Sequence, residues 1–269
     1  MMRTALASGT LPLLLMVDAE RAAAQIQDNS FLVEEAYNQE PGVVQHIATF
    51  DALVDPDSGP WAFSFTQEWP AASQTHQWSY TIPIEHDEET GLGDILLNYR
   101  WQAVGSGETK VAVSPRVSLS FPTGDEHEGF GRGELGVQVN LPISVALGDA
   151  FVTHWNAGGT VGPEWGRAVD ASATTKDVAL GASLIWLAAP KLNPMFEVVW
   201  LREESVVGDD ETESASALVI NPGIRGAIDL ECGLQIVPGV SVPIVFPDEE
   251  RETSVFGYLS LEHPFRHAN

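Results

Sequence analysis

Basic residues are scarce in this chain. It carries 13 Lys and Arg against 38 Asp and Glu, a formal charge of −25. Such a chain does not hold nucleic acid through its phosphates. Cysteine is nearly absent, and the lone Cys232 cannot close an internal disulfide. Past Ala24 there is no apolar run near the ~18 residues that mark a membrane-crossing helix. No acidic cluster has EF-hand spacing, and no G-x-S-x-G is present. Helical periodicity is scarce as well. The one good candidate is "DNSFLVEEAYNQ", Asp28 to Gln39. It has polar N-cap choices at Asp28, Asn29 and Ser30, early Glu34 and Glu35, and a stop at Pro41-Gly42.

What is abundant is alternation. In "KVAVSPRVSLSFPTGDE" (Lys110 to Glu126), Val111, Val113, Val117, Leu119 and Phe121 share one parity, and Ala112, Ser114, Arg116, Ser118 and Ser120 share the other. Trp61, Phe63, Phe65 and Trp69 oppose Ala62, Ser64, Thr66 and Glu68. Ile95, Leu97, Tyr99 and Trp101 oppose Asn98, Arg100 and Gln102. From Leu135 to Leu147 seven apolar residues oppose Glu134, Gln138, Asn140 and Ser144. The pattern predicts twelve strands, roughly 42–54, 60–70, 74–86, 92–104, 110–122, 134–147, 150–163, 177–188, 193–205, 216–228, 232–246 and 253–265. Strands of about 11–14 residues exceed the ~5–6 of soluble sheets and suit tilted strands crossing a bilayer. A secreted β-sandwich or lipocalin-like barrel would have shorter strands.

The expected fold is therefore all-β: an up-and-down antiparallel transmembrane barrel of about twelve strands with a short N-terminal helix. Only a closed barrel leaves no strand edge unpaired in hydrocarbon. From the third connection onward, long acidic loops alternate with short turns, as they do in outer-membrane barrels. Twelve strands return both termini to the periplasmic side. Trp61, Trp69, Trp78, Trp101, Trp155, Trp186 and Trp200 lie within strands, where girdle positions suit several of them. Pro83, Pro115, Pro142, Pro222, Pro238 and Pro243 each remove a ladder bond, so local bulges are expected there.

Met1 to Ala24 reads as a secretory signal: Arg3, then the apolar "ALASGTLPLLLMV", then "AAA" at Ala22 to Ala24. Its removal takes Arg3 and Arg21 with Asp18 and Glu20, so the charge stays −25. The expected organisation is signal 1–24, N-terminal periplasmic segment with the helix 25–41, barrel 42–265 and tail 266–269. The helix would sit in the barrel mouth or loosely outside it, with Arg100 and Arg225 in reach of Glu34 and Glu35.

The wet parity supplies the candidate site: Glu68, Asn98, Arg100, Arg116, Glu134, Asn140, His154, Asn156, Glu197, Asn221 and Arg225. A charge at the lipid-facing midplane costs ~2–4 kcal/mol, whereas in a wet lumen it pairs or hydrates. Arg116, about halfway along strand five, is expected to meet Glu197, with Glu134 as a higher candidate. Such pairs either staple the barrel or form a solute-selective constriction. "HWN" (His154, Trp155, Asn156) puts a His and an Asn on one face, and a Ser partner would suggest an embedded lipid hydrolase. "GRGELG" (Gly131 to Gly136) fits G-x-G-x-x-G but opens a strand rather than a helix, so it is a glycine-rich loop. Acidic runs at Asp87/Glu88/Glu89, Asp125/Glu126/Glu128, Asp209/Asp210/Glu211/Glu213 and Asp248/Glu249/Glu250/Glu252 make a solvated rim. Divalent ions could bridge that rim to lipopolysaccharide. No cofactor, metal centre or catalytic residue is assigned.

"IQDNSFLVEEAYNQEPGVVQHI" (Ile26 to Ile47), "FTQEWP" (Phe65 to Pro70), "GLGDILLNYRWQ" (Gly91 to Gln102), "SPRVSLSFPTGDE" (Ser114 to Glu126), "GVQVNLPISV" (Gly136 to Val145) and "VTHWNAG" (Val152 to Gly158) resemble a bacterial outer-membrane family. It is the family named for the MetA pathway of phenol degradation, and the likeness spans most of the chain after the signal. The resemblance implies uptake of small aromatic or hydrophobic compounds and carries no residue-level site. Outer-membrane barrels usually end on an aromatic residue, whereas Phe265 here is followed by Arg266, His267, Ala268 and Asn269. The function expected is passive conduction or binding of a small solute in the outer membrane of a Gram-negative cell. Partners would be outer-membrane lipids, lipopolysaccharide, the solute and the barrel-assembly machinery. The competing readings are a non-conducting, adhesin-like barrel and the embedded hydrolase.

Overall fold

The computed structural model describes residues 30–54, 59–247 and 251–265. The expected signal, Asp28 and Asn29 of the expected helix, and the tail at 266–269 lie outside the described residues. Twelve strands form one closed antiparallel ring. In order they are Val43–Leu53, Trp61–Ala71, Ser73–His86, Thr90–Leu92 with Ile95–Trp101, Val111–Val113 with Arg116–Phe121, and Gly136–Asn140 with Ile143–Leu147. There follow Phe151–Gly166, Ala171–Trp186, Leu192–Gly208, Glu211–Gly226 with Ile228–Asp229, Gln235–Ser241 with Ile244–Phe246, and Glu252–Pro264. Strand one pairs with strand two on one side and strand twelve on the other, Val43 lying opposite Pro264 and Leu53 opposite Ser254. That seam removes the last free edge, which is the condition for a sheet surrounded by hydrocarbon.

The two faces are inverted relative to a soluble protein. Trp101, Val139, Trp155, Leu180 and Trp186 are 48–53% exposed. Ser118, Ser144, His154, Glu197 and Asn221 are at 0%. Exposed scattered apolar residues are ordinary, but a buried polar set facing an exposed apolar one is not. The arrangement minimises free energy only if the outside is apolar and the inside is wet or hydrogen-bonded.

Three expectations need correction. No helix is present among the described residues, and residues 30–39 are bends and extended chain. The reason is given below. Two of the expected acidic loops are largely strand. Strands seven to ten run 16–17 residues, and their connections shrink to 167–170 and 209–210. Asp170 and Asp210 close these turns at φ 53° and 56°, a region that Asp tolerates better than most residues. Pairing with strand six stops at Val161–Val137, and pairing with strand eleven stops at Leu218–Phe246. The four strands thus project beyond their neighbours as a flap, filled by Ala171, Ala173 and Val206. Finally, bulges form at only some of the prolines. The register shifts by one residue across Pro83, from Thr81–Leu96 to Ile84–Leu92, and across Pro115, from Arg100–Arg116 to Val104–Val113. Two further shifts fall at Pro70/Ala71 and Val206/Gly208, whereas the pairing runs without a shift past Pro142, Pro222, Pro238 and Pro243. Pro115, Pro142 and Pro243 interrupt their strands, while Pro83, Pro222 and Pro238 remain within them. Proline carbonyls still serve the ladder: Trp101 N donates to Pro115 O, Ser114 N to Pro142 O and Val242 N to Pro222 O, at 3.0–3.1 Å.

The connection 122–135 folds inward at the end opposite the seam's start. Asp94 accepts from Gly124 N and Arg132 N, and Phe130 packs on Gly91. Arg132 reaches inward-facing groups of strands seven and eight, at 3.1 Å from Glu164 and 2.6 Å from Asp177.

Candidate functional site

The lumen is occupied by the chain's own N-terminal segment. Residues 30–39 run inside the ring, and their backbone polar groups are met by side chains of the wall. Phe31, Leu32 and Val33 donate three successive amides to one oxygen of Glu197, at 3.1, 2.8 and 2.9 Å. Glu34 N donates to Asn156 Oδ1 and Ala36 N to Ser144 Oγ, at 2.8 and 2.7 Å. Asn38 N donates to Gln102 Oε1 and Gln39 N to Gln77 Oε1, at 3.0 and 2.7 Å. The carbonyls are met too. Asn156 Nδ2 donates to Glu34 O, Arg100 to Glu35 O, and Gln102 Nε2 and Ser114 Oγ to Ala36 O, all at 2.8–2.9 Å.

This explains the missing helix. A helix satisfies each amide with a carbonyl four residues back, and its first turn always has orphans. Here the wall offers a better-placed acceptor for nearly every amide, and an extended chain reaches more of them. Burying the same peptide groups without partners would cost roughly 1–3 kcal/mol each.

Two ion pairs tie the segment down. Arg116 grips Glu34 with two bonds, Nε to Oε2 at 3.0 Å and Nη2 to Oε1 at 2.7 Å. It also donates to Asn98, Ser118 and Gln138. Arg100 sits between Glu35 and Glu68, at 3.2 Å from each, and Glu68 accepts from Gln77 at 2.7 Å. The carboxylate that Arg116 meets is thus Glu34, not Glu197 or Glu134. Glu197 is spoken for by the three amides and by Asn221, which donates to its other oxygen at 2.7 Å.

An apolar anchor precedes these polar ties. The Phe31 ring lies 5.7 Å from Phe256 and 5.6 Å from Tyr258. It rests on Gly223 and Gly239, where an added Cβ would come within 2.4 and 2.5 Å of the ring. No other residue fits there without moving Phe31.

Of the expected lumen residues, the structure places Glu68, Asn98, Arg100, Arg116, Asn140, Asn156, Glu197 and Asn221 in this one network around the segment. Asn140 joins it by a 3.2 Å bond to Asn156. Arg225 is buried on the same inward face, its Cβ beside the Phe31 cradle. His154 is fully buried, 2.7 Å from Ser144 Oγ and edge-on to Tyr37. Ser144 already receives Ala36 N, so the Ser–His pair grips the segment. Glu134 departs from expectation: strand six starts at Gly136, and Glu134 is exposed on the connection before it.

Sequence reasoning missed Gln77, Gln102, Ser114 and Ser144, which complete the network. Their parity was legible, since each alternates with apolar neighbours. It missed Phe31, Gly223 and Gly239 altogether, because nothing local marks two distant glycines as one cradle.

Two cavities flank the first half of the segment. One of about 230 Å³ is lined by the apolar Phe31, Ile47, Leu96 and Tyr258, interspersed with Thr49, Ser79, Thr81 and Asn98. The other, about 300 Å³, is lined by Gly158, Thr160, Asp177, Val199 and Glu203. Leu32, Val33, Glu34, Arg116 and Gln138 line both. The Glu34–Arg116 pair therefore stands between them.

No family model matches the chain, and no curated protein does. Among solved structures it is similar to the COG4313 outer membrane channel from Pseudomonas putida F1, at 11% identity and a TM-score of 0.58, over 85% of this chain and 97% of that one. It is also similar to the KdgM porin, at 9% identity and a TM-score of 0.48, over 82% and 99% of the two chains. The NanC porin matches at 6% identity and a TM-score of 0.48, over 81% and 98%. The first of these likenesses shows the fold, a closed barrel of the outer-membrane channel type.

Proposed function

We propose that this chain is an outer-membrane channel for a small amphipathic solute, closed at rest by its own N-terminal segment. One observation carries the reading: residues 30–39 cross the lumen on hydrogen bonds from the wall, and open cavities lie beside them rather than through them. A barrel of twelve strands falls between those that side chains fill and those that leave an aqueous channel. Here the segment supplies the missing filling.

The periplasmic placement of both strand ends at the seam's start belongs to the same reading. The segment then closes the periplasmic mouth, and the two cavities face outward, where a solute would arrive. The smaller cavity suits a single ring, since a cavity of about 150 Å³ lined by apolar side chains holds benzene. The hydroxyls of Thr49, Ser79 and Thr81 and the Asn98 amide, set among the cavity's apolar side chains, would orient one polar substituent. The family resemblance points to the same solute class. Binding energy gained there can be spent on displacing Phe31, which shares the wall.

Planar-bilayer recording tests this. The intact chain should conduct in rare, brief openings. A chain with Phe31→Ala and Glu197→Gln together should conduct steadily, while keeping heat-modifiable mobility as evidence of a folded barrel. Equal, steady conductance in both would overturn the plug.

A further inference from the structure

We propose a zinc site on the outside of the barrel, formed by His46 and His263 across the seam between the first and last strands. The two Nε2 atoms lie 3.2 Å apart, and the rings are nearly parallel, centroids 5.3 Å apart and planes at 24°. Gln45 and Ile47 face inward, so His46 faces out. Ser260 and Glu262 share the opposite parity to His263 on strand twelve. His46 is held from its other side by the Phe65 ring, stacked at 6.0 Å and 22°. Both imidazoles are half-buried, so both remain reachable.

The hydrogen-bond pattern assigns the tautomers. His263 Nδ1 lies 3.2 Å from its acceptor, Pro264 O, so it carries the proton and its Nε2 is a bare lone pair. His46 Nε2 must then carry the proton between the two rings. One proton thus holds two nitrogen lone pairs at a fixed spacing. That spacing matches a metal. With Zn–N bonds of ~2.0–2.1 Å and a tetrahedral angle, two imidazole nitrogens on one zinc stand about 3.3–3.4 Å apart. Square-planar cis ligands at similar bond lengths would stand about 2.8 Å apart, so the pair favours zinc over Cu²⁺.

Zinc would replace the shared proton. His46 shifts its proton from Nε2 to Nδ1, both Nε2 lone pairs turn to the ion, and no proton leaves the protein. No cluster of three or more His, Cys, Asp or Glu suited to a metal occurs among the described residues. Water or lipid phosphate therefore fills the remaining positions. Two ligands from the first and last strands make the site a clasp on the barrel's closure.

The test uses tag-free, folded barrel in detergent and Zn²⁺ alone. Calorimetric titration should find one zinc per chain, lost as the pH falls through the imidazole range. His46→Gln or His263→Gln should weaken it by about tenfold or more, and zinc should raise the temperature of heat-modifiable unfolding in the parent only. Zinc binding and stabilisation unchanged in the folded double variant would overturn the site, pointing instead to other histidines such as the half-buried His86 or the exposed His127. If the variants do not fold, Co²⁺ on the parent decides: an intense tetrahedral d–d spectrum supports the clasp, and the weak octahedral spectrum of the hydrated ion sinks it.

Discussion

Arg116 shows how much one inward cation can carry. It makes five bonds to four residues on the wall and the segment, two of them the fork on Glu34. Arg116→Ala leaves Glu34 facing the lumen without its cation. Glu34 keeps some solvent contact, so the cost should be roughly 1–3 kcal/mol rather than that of a fully buried charge. The expected outcome is a lower unfolding temperature on gels together with longer openings in bilayers. Arg116→Lys should recover only part of this, because an ammonium cannot form the fork. Native stability and native gating in the alanine variant would show that the pair holds nothing. Gly239 offers a sharper probe. A methyl there comes within 2.5–2.8 Å of the Phe31 ring, so Gly239→Ala should eject the ring while leaving the ladder intact. Intrinsic openings should rise, and adding Phe31→Ala should change them no further. A further rise in the double variant would mean that the two residues act separately.

Among elements, the strands were legible and the segment was not. Strand starts or ends near Trp61, His86, Phe121, Leu147, Phe151, Trp186 and their like follow from period-two alternation, which is a local property. The flap of strands seven to ten was read too short because alternation fades where hydrocarbon ends: Thr174, Thr175 and Lys176, and Glu203, Glu204 and Ser205, are runs of consecutive polar residues. Residues 28–39 carry local signs of a helix, yet their amides are claimed by Glu197, Asn156, Ser144, Gln102 and Gln77, between 38 and 166 positions away in sequence. No window of sequence contains both partners. The inward polar parity of the candidate site was legible for the same reason as the strands, whereas the pairing of Arg116 with Glu34 was not. The connection 122–135 was also half legible. Its glycines marked a loop, but not the clamp on Asp94. Gly131 has φ 88°, and a Cβ there would sit 2.2 Å from Asp94 Oδ1. Gly131→Ala should therefore release the loop from the lumen, seen as faster protease nicking between Thr123 and Leu135 with the barrel intact. Unchanged nicking would show that Asp94 is not what holds it.

For the whole molecule, the formal charge of −25 is unevenly used. Inside, carboxylates meet arginines and amides; outside the hydrocarbon, acids gather on the connections remote from the seam's start. Acidic tips repel one another less in water than in a narrow lumen, and under the proposed orientation that water lies outside the cell. An epitope inserted at Asp210 should be labelled on intact cells, and one at Gly148 should not. The reverse labelling would invert the proposed orientation, and with it the side from which a solute reaches the two cavities.

The segment's partners come from strands one, three, four, five, six, seven, eight, nine and ten, with Phe31 touching eleven and twelve as well. Its binding surface therefore does not exist on any partly built sheet. It comes into being only when the last strand has met the first. In time, then, the part of the described chain made first is the part seated last, after some two hundred later residues have been laid around it. A seated segment is a record that the ring has closed, and an assembling barrel with a slipped strand would leave that segment outside, where a protease can read the error.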